Sequence, residues 1–298
     1  MIKVESTVDL HLHTTCSDGD DTPLELILKL SKLGIKLISI TDHDSVKAYS
    51  MLKSDKRYHM KIINGVELTF VHDNYIRHML AYNFNISKME DELNKLYTRE
   101  KLIDHENGML MDFFKCSKKT GLIVDNDLKI ETGNRGEAFN KVYDSLVNTP
   151  LNLEICPSLV SHTKFFWHEC MNKDSKFFID ASKGIPTLKE VLKIIKDCEG
   201  LAVLAHPFQY PIKDNSYKVN KEVIDLAIKY GIDGIEAYHK SASKEQSEEI
   251  ISIANNHDLF VTGGSDYHGN KQIYDTGINE KHIEKFLRHV NIKGRNKL

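Results

Sequence analysis

The chain is 298 residues long, 41% apolar and 28% charged, with a formal net charge of −3. These values fit a soluble globular protein built as one large α/β domain or as a barrel carrying an insertion. They disfavour a broad basic face for long nucleic acid, and no apolar run approaches the roughly 18 residues of a membrane span.

Five cysteines, Cys16, Cys116, Cys156, Cys170 and Cys198, are odd in number and lack CxxC spacing. That pattern predicts reduced thiols in a cytoplasm rather than a disulfide framework. The start, Met1-Ile2-Lys3-Val4-Glu5-Ser6, does not read as a signal peptide.

In chain order, residues 7–13 read as a strand. It carries His11 and His13, two positions apart, so both imidazoles face one side and can reach one metal ion. Asp18 follows in a Ser17-Asp18-Gly19 turn. Pro23 opens a helix with Leu24, Ile27, Leu28 and Leu33 at helical spacing, and Gly34 ends it. Residues 36–41 form a second strand running into Asp42-His43-Asp44, and a helix over about 46–55 follows. Residues 61–68, with Glu67, and 75–82, with His78, read as strands three and four.

From 86 to 186 the character changes. A long charged helical stretch covers 87–119, a turn holds Arg135, and a helix runs to about Val147. Residues 150–186 have no strong period, and Trp167 with Phe165 and Phe166 is expected to pack a small core there. This segment reads as a mostly helical insertion domain (86–186) between the two parts of a catalytic domain (1–85 and 187–298).

At Thr187 the βα rhythm resumes. Thr187-Leu188-Lys189-Glu190 is a capping box. Strand five ends in Ala205-His206-Pro207, strand six in Tyr238-His239, and strand seven in Gly264-Ser265-Asp266-Tyr267-His268. A short helix near 279–290 and a basic tail complete the chain. The alternation predicts a parallel sheet or barrel. Residues able to bind metal at many strand ends (His13, His43, Glu67, His78, His206, His239, Asp266) favour a barrel, which gathers its site from many strands on one face. The same histidines and acids, taken singly, are more often structural. Together in one fold they point to metal chemistry. His59, His72, His105, His162, His168, His257, His282 and His289 lack a partner motif and are expected mostly at the surface. Cys16 lies near the site but has no base to activate it.

At this point the sequence resembles the polymerase-and-histidinol-phosphatase (PHP) superfamily of metal-dependent phosphoesterases. The matching stretches are Asp9-Leu10-His11-Leu12-His13-Thr14, Ser17-Asp18-Gly19, Ile40-Thr41-Asp42-His43-Asp44, Gly65-Val66-Glu67, His78-Met79-Leu80-Ala81-Tyr82, Ala205-His206-Pro207 and Gly263-Gly264-Ser265-Asp266-Tyr267-His268-Gly269. Gly234-Ile235-Glu236-Ala237-Tyr238-His239 resembles the branch containing nucleoside 3′,5′-bisphosphate phosphatases and 5′-3′ exoribonucleases. The resemblance implies a distorted (β/α)7 barrel with a helical insertion after strand four. It also implies three metal clusters. His11, His13 and Asp266 would hold one ion; His78 and His206 a second, with Glu67 bridging the two; Asp18, His43 and His268 a third.

Mixed imidazole and carboxylate donors suggest two to three divalent ions, Mn²⁺, Fe²⁺ or Zn²⁺ rather than Mg²⁺. Asp266 would thus be catalytic through its metal, and a metal-activated water would attack phosphorus in line. His239 is the candidate general acid or substrate contact; its alternative role is to hold a ligand through a hydrogen bond. Arg135 is the candidate phosphate clamp, although this chain has Gly136-Glu137 where that branch has Pro-His. The expected substrate is a small phosphorylated molecule such as a nucleotide. Short single-stranded RNA or DNA, degraded by a 5′-3′ exonuclease, is the runner-up, and a non-catalytic binding module of the same fold is the third reading. No membrane and no obligate protein partner are implied.

Overall fold

Short strands and amphipathic helices alternate in the computed structural model, which describes residues 7–53, 60–73, 75–132, 134–209, 218–269 and 277–292. His59 and the basic tail from 293 lie outside the described residues. The chain divides into two compact units. One comprises Met1–His72, Arg77–Leu93 and Pro186–Leu298; the other comprises Asp73–Ile76 and Asn94–Ile185.

The first unit opens with β1 (Val8–Asp9), α1 (Pro23–Lys32), β2 (Leu37–Ile38), α2 (Lys47–Leu52) and β3 (Lys61–Ile62). Helix α1 starts where expected. Thr22 and Glu25 close a capping box, and Pro23 takes the first helical turn, where its missing N–H costs nothing. The three short strands pair in parallel, Val8 with Leu37 and Leu37 with Lys61. A second sheet follows the order β4 (Gly65–His72), β5 (Tyr75–Tyr82), β6 (Leu201–Leu204), β7 (Gly234–His239), β8 (Phe260–Gly264). Two parallel bridges link the sheets, Leu12 with Tyr267 and His43 with Glu67.

Two expectations about the strands change. The stretch 61–68, read as one strand, is two. It breaks at Asn64, whose side-chain amide donates to the carbonyl of Phe84 at 2.6 Å instead of continuing a ladder. The sheet is also not all parallel. Strands β4 and β5 are consecutive neighbours, with Asp73 between them at φ 50, and β5 runs antiparallel to β6, Met79 opposite Leu204. His78 consequently lies in the middle of its strand, not at the end.

Helices α8 (Leu188–Asp197), α9 (Lys221–Lys229) and α10 (Lys244–Asn256) alternate with β6, β7 and β8, and α11 (Glu284–Ile292) follows. Thr187 and Glu190 form the expected capping box at α8. The core beneath the strands is built from Val8, Leu10, Leu80, Val203, Ile283, Phe286 and Val290 among others. Tyr82 lies wholly within it and donates its hydroxyl to the carbonyl of Leu10 at 2.8 Å.

Helix α3 (Ile86–Leu96) straddles the division between the units. The second unit contains α4 (Arg99–Thr120), α5 (Glu137–Val147), α6 (Leu151–Ile155) and α7 (His162–Lys164). The stretch 87–119 is therefore broken, with Thr98 capping the new helix at Lys101. Past α7 the chain widens into a π-helical turn at Phe165–Cys170. Phe165 is buried with Phe113, Phe139 and Phe177, whereas Trp167 is 52% exposed. Glu106, almost fully buried, accepts the N–H groups of Gly136 and Ala138 and so satisfies the start of α5. Among the described residues no helix is long and apolar enough to cross a membrane.

Candidate metal centre

The segment after β1 alternates Leu10 and Leu12, both without exposure, with His11 and His13. Period-two alternation sends the leucines into the core and the imidazoles to the other side. The backbone on both flanks holds this segment straight. Leu10 N–H donates to Gly263 O, His13 N–H to Tyr267 O at 2.9 Å, Asp266 N–H to His11 O at 2.9 Å, and Thr41 N–H to Leu12 O at 2.8 Å. The segments carrying His43 and Asp266 are thereby fixed against the His-x-His run.

Glu67, 1% exposed, stands at the middle. Its Oε2 lies 3.1 Å from His11 Nε2, 3.2 Å from His13 Nε2 and 3.4 Å from His43 Nδ1. Its Oε1 lies 3.1 Å from His78 Nδ1 and 3.0 Å from His206 Nε2. Asp266 Oδ1 is 3.2 Å from His13 Nε2 and 3.5 Å from His11 Nε2. Asp18 reaches His13 Nδ1 at 3.4 Å, His268 Nε2 at 3.3 Å and His43 Nε2 at 3.8 Å. Donor atoms within 4.8 Å of one another form three groups here: His11, His13, Glu67 and Asp266; His43, Glu67 and His78; His13, Asp18, His43 and His268. Eight of the nine expected ligands fall in these groups, with Glu67, His13 and His43 each shared between two, while the ninth, His206, is in none of them and reaches the cluster through Glu67 Oε1.

Two of these residues adopt strained backbones, His206 at φ 24 and Asp266 at φ 53. Such conformations persist only where the surroundings over-determine them. The loop of Asp18 is set by Asp42, which accepts from Thr14 N–H, Thr14 Oγ1 and Ser17 Oγ, each at 2.7 Å.

The electrostatics follow from this crowding. Burial pushes the Glu67 carboxyl up, but the surrounding imidazoles of His43, His11 and His78 outweigh it and hold the group well below the usual carboxylate range. Burial likewise raises Asp266 and Asp18, and their imidazole partners overcome it in both. The rings of His11 and His13 resist burial and lie well above their ordinary value, His11 through Glu236, Glu67 and Asp266 and His13 through Asp18, Asp266 and Glu67. His43 goes the other way, pushed down to about 3 by burial, with the neighbouring rings of His13 and His78 adding to it against the pull of Glu67 and Asp18. Asp9, wholly buried, is raised by that burial to about 6 although it accepts from the N–H groups of Ser265, His11 and Gly277.

These side chains fit divalent cations. Both ring nitrogens of His13 and Nδ1 of His43 are buried without a hydrogen bond of good geometry. Buried lone pairs left so are costly, and several carboxylates converging on one spot repel. Ions at the three groups would take the lone pairs and offset the charge, and the imidazole-carboxylate mixture suits Mn²⁺, Fe²⁺ or Zn²⁺.

His239 differs from the other histidines. Its Nδ1 accepts the backbone N–H of Ser241 at 3.1 Å, so in the neutral ring Nε2 carries the proton. That Nε2 lies 3.5 Å from Asp266 Oδ2 and 3.4 Å from the side-chain nitrogen of Gln209. An irregularity in β7 between Glu236 and Tyr238 puts His239 there. Residues three apart on a regular strand face opposite sides, and the extra residue turns His239 to the same side as Glu236. Tyr238 is left on the other face, stacked 4.5 Å from the His282 ring.

Arg135 belongs to the second unit. It is exposed, with its guanidinium 4.4 Å above the ring of Tyr97. Of the histidines expected at the surface, His162, His168, His257 and His282 are exposed and His72, His105 and His289 are partly exposed. Burial pushes the Cys16 thiol up, which disfavours a reactive thiolate.

Sequence reasoning assigned no role to Glu236, Asp9 or Asp42, all without exposure. The signal for Glu236 was present: a lone glutamate between Ile235 and Ala237 in an apolar strand needs a buried partner.

Residues 9–135 match the family model described as the PHP domain. The chain is 24% identical over 265 residues to the phosphoribosyl 1,2-cyclic phosphate 1,2-diphosphodiesterase of Eggerthella lenta, covering 88% of this chain and 94% of that protein. It is 24% identical over 279 residues to a 5′-3′ exoribonuclease of Escherichia coli, covering 87% and 84%. It is 21% identical over 277 residues to the 3′,5′-nucleoside bisphosphate phosphatase of Chromobacterium violaceum, covering 88% and 87%. Two solved structures share the fold. One is described as a metal-dependent phosphoesterase from Bifidobacterium adolescentis (TM-score 0.62, 24% identity, 98% of this chain and 97% of that one). The other is described as an amidohydrolase from Chromobacterium violaceum (TM-score 0.71, 20% identity, 96% of each).

Proposed function

We propose that the chain is a metal-dependent phosphoesterase of the PHP superfamily and that it removes phosphate from a small nucleotide such as a nucleoside 3′,5′-bisphosphate. The observation that carries this reading is the Glu67 carboxylate, with three imidazoles at one oxygen and two at the other. In the reading, His11, His13 and Asp266 hold one ion, His78 and His206 a second with Glu67 between them, and Asp18, His43 and His268 a third. Such ions, two or three of Mn²⁺, Fe²⁺ or Zn²⁺, would lower the pKa of bound water and offset phosphoryl charge.

The chain's own groups do the rest. Asp266 and Glu67 stay ionised and keep the imidazoles aimed inward. His239 presents Nε2–H and is placed to donate to a leaving oxygen. Arg135 is the proposed phosphate contact, because a guanidinium fork matches phosphate. The net charge of −3 supports a small substrate over a long polyanion. The two sheets are read as one distorted (β/α)7 barrel in which β3 and β4 are an interrupted strand, closed by the Leu12–Tyr267 and His43–Glu67 pairings. Residues 86–186 are read as its insertion. The five free thiols support a reducing, cytoplasmic setting.

A second reading is stepwise release of 5′ nucleotides from short RNA or single-stranded DNA. The 24% identity to relatives named 5′-3′ exoribonucleases favours it.

A substrate panel with Mn²⁺ separates the two. It comprises 3′,5′-bisphosphates, mononucleotides, histidinol phosphate, phosphoribosyl 1,2-cyclic phosphate and 5′-phosphorylated oligonucleotides, with phosphate and mononucleotide release both assayed. Phosphate released from bisphosphates, and abolished by His11→Ala or Asp266→Ala, is the expected result. Turnover of simple monophosphates alone would sink the bisphosphate reading, and mononucleotide release from oligonucleotides would establish the second.

A further inference from the structure

Glu236 is fully buried in the middle of β7. A carboxylate in that position must be partnered on both oxygens, and it is. Its Oε1 lies 2.9 Å from Nδ1 of His11, and its Oε2 accepts the backbone N–H of His206 at 3.0 Å. His11 approaches one oxygen of Glu67 and His206 the other. One side chain therefore touches candidate ligands on both sides of the central carboxylate without itself belonging to any of the three donor groups.

We propose that Glu236 is a positioning residue of the metal centre, holding the His11 ring by its Nδ1 and the His206 backbone by its N–H. The chemistry needs both contacts. An imidazole can bind a cation through Nε2 only if that nitrogen keeps its lone pair, so the ring proton must sit on Nδ1. An acceptor at Nδ1 keeps it there and sharpens the aim of the ring. The second contact holds a backbone that would otherwise relax. His206 is neither glycine nor asparagine, yet it sits at φ 24. A hydrogen bond from its N–H to a charged acceptor offsets that strain. The irregularity of β7 next to Glu236 belongs to the same arrangement, since it lets Glu236 and His239 approach the cluster from one strand.

Glu236→Gln is the informative change, because it keeps the shape and removes one acceptor. Both partners are donors when the centre is assembled, and an amide can accept from only one of them. If its oxygen stays on His206, its NH₂ faces His11 Nδ1 and drives the ring proton to Nε2. If its oxygen turns to His11, the NH₂ opposes the His206 N–H. Either way the Nε2 lone pair or the His206 backbone is lost.

The test uses the full chain, stripped with chelator and titrated with Mn²⁺ alone. Thermal unfolding of the metal-free protein is followed in parallel. A cooperative melt in Glu236→Gln, with Mn²⁺ affinity weakened by about 10- to 100-fold, is expected. Glu236→Asp keeps the charge and should recover part of that loss. In zinc-loaded wild-type protein the His11 ring should show ¹⁵N signals of an Nδ1–H tautomer, and the Gln variant should lose them. Wild-type Mn²⁺ affinity in folded Glu236→Gln overturns the proposal. Should that variant not melt cooperatively, wild-type affinity in Glu236→Asp, whose shorter arm cannot reach both partners, overturns it instead. The inference rests on His11 as a metal ligand. His11→Ala tests that separately: Mn²⁺ binding unchanged there would remove the premise, not Glu236 alone.

Discussion

The backbone N–H of Ser241 points at Nδ1 of His239 from 3.1 Å and leaves the ring proton on Nε2. A metal ligand needs a lone pair where His239 carries a hydrogen, so this residue is the odd one among the clustered imidazoles. Replacing His239 with Gln should lower kcat by about 10²- to 10⁴-fold, the usual contribution of a placed proton donor. The number of Mn²⁺ ions bound should not change. Loss of an ion from the variant would make His239 a ligand instead.

Gly264 packs against His11 so closely that a Cβ added there would collide with the backbone nitrogen and Cβ of His11. Both are backbone or near-backbone atoms and cannot swing aside. Gly264→Ala should therefore destabilise the fold by about 1–3 kcal/mol, as overpacked cores do. It should also displace the His-x-His run and weaken Mn²⁺ binding. Denaturant unfolding with metal titration checks both effects, and a fully stable variant with normal binding would mean the segment yields more than its hydrogen bonds indicate.

The metal-free centre holds protons that an ion must displace. His11 and His13 sit well above the ordinary imidazole value, so near neutrality each carries a proton to be released on binding. Raising the pH removes those protons in advance, and apparent affinity should rise with it. Titration with Mn²⁺ should give a weaker constant at about pH 6 than at about pH 8, with protons released on binding. A pH-independent constant would mean the rings are already neutral without metal.

Arg135 stacks on Tyr97, a contact that needs no phosphate. If it also grips phosphate, Arg135→Ala removes a charge-assisted hydrogen bond of about 1.5–3 kcal/mol. KM for the preferred nucleotide should then rise roughly 10- to 100-fold, with kcat changed far less. An unchanged KM would sink the phosphate contact.

The parts of this molecule legible from sequence are those with a local period or a fixed spacing. The His11-x-His13 pair, the capping boxes at Thr22 and Thr187, and the rhythm of β6 through β8 all need only neighbouring residues. The reversed direction of β5 was not legible, because the apolar content of 75–82 marks a strand without saying which way it runs beside its neighbour. The break at Asn64 was hidden for a related reason. It depends on the carbonyl of Phe84, 20 positions on. At the centre, the residues with metal-binding chemistry at strand ends stood out, whereas Glu236 looked like one more acidic residue of a strand. Its significance comes from His11, 225 positions earlier in the chain. Arg135 shows the opposite difficulty, since its residue type suggests a role that no local pattern can place.

The contacts between the His-x-His run and the segment around Asp266 also set an order of events during synthesis. Asp9 and Ser265, hydrogen-bonded at 3.0 Å, are 256 positions apart. At roughly 5–20 residues per second the ribosome needs many seconds to cover that distance. For most of that interval the nascent chain displays His11, His13, His43, Glu67 and His78 without the Asp266 segment that flanks the His-x-His run. Asp266 and His268 are therefore the last candidate ligands to join the cluster.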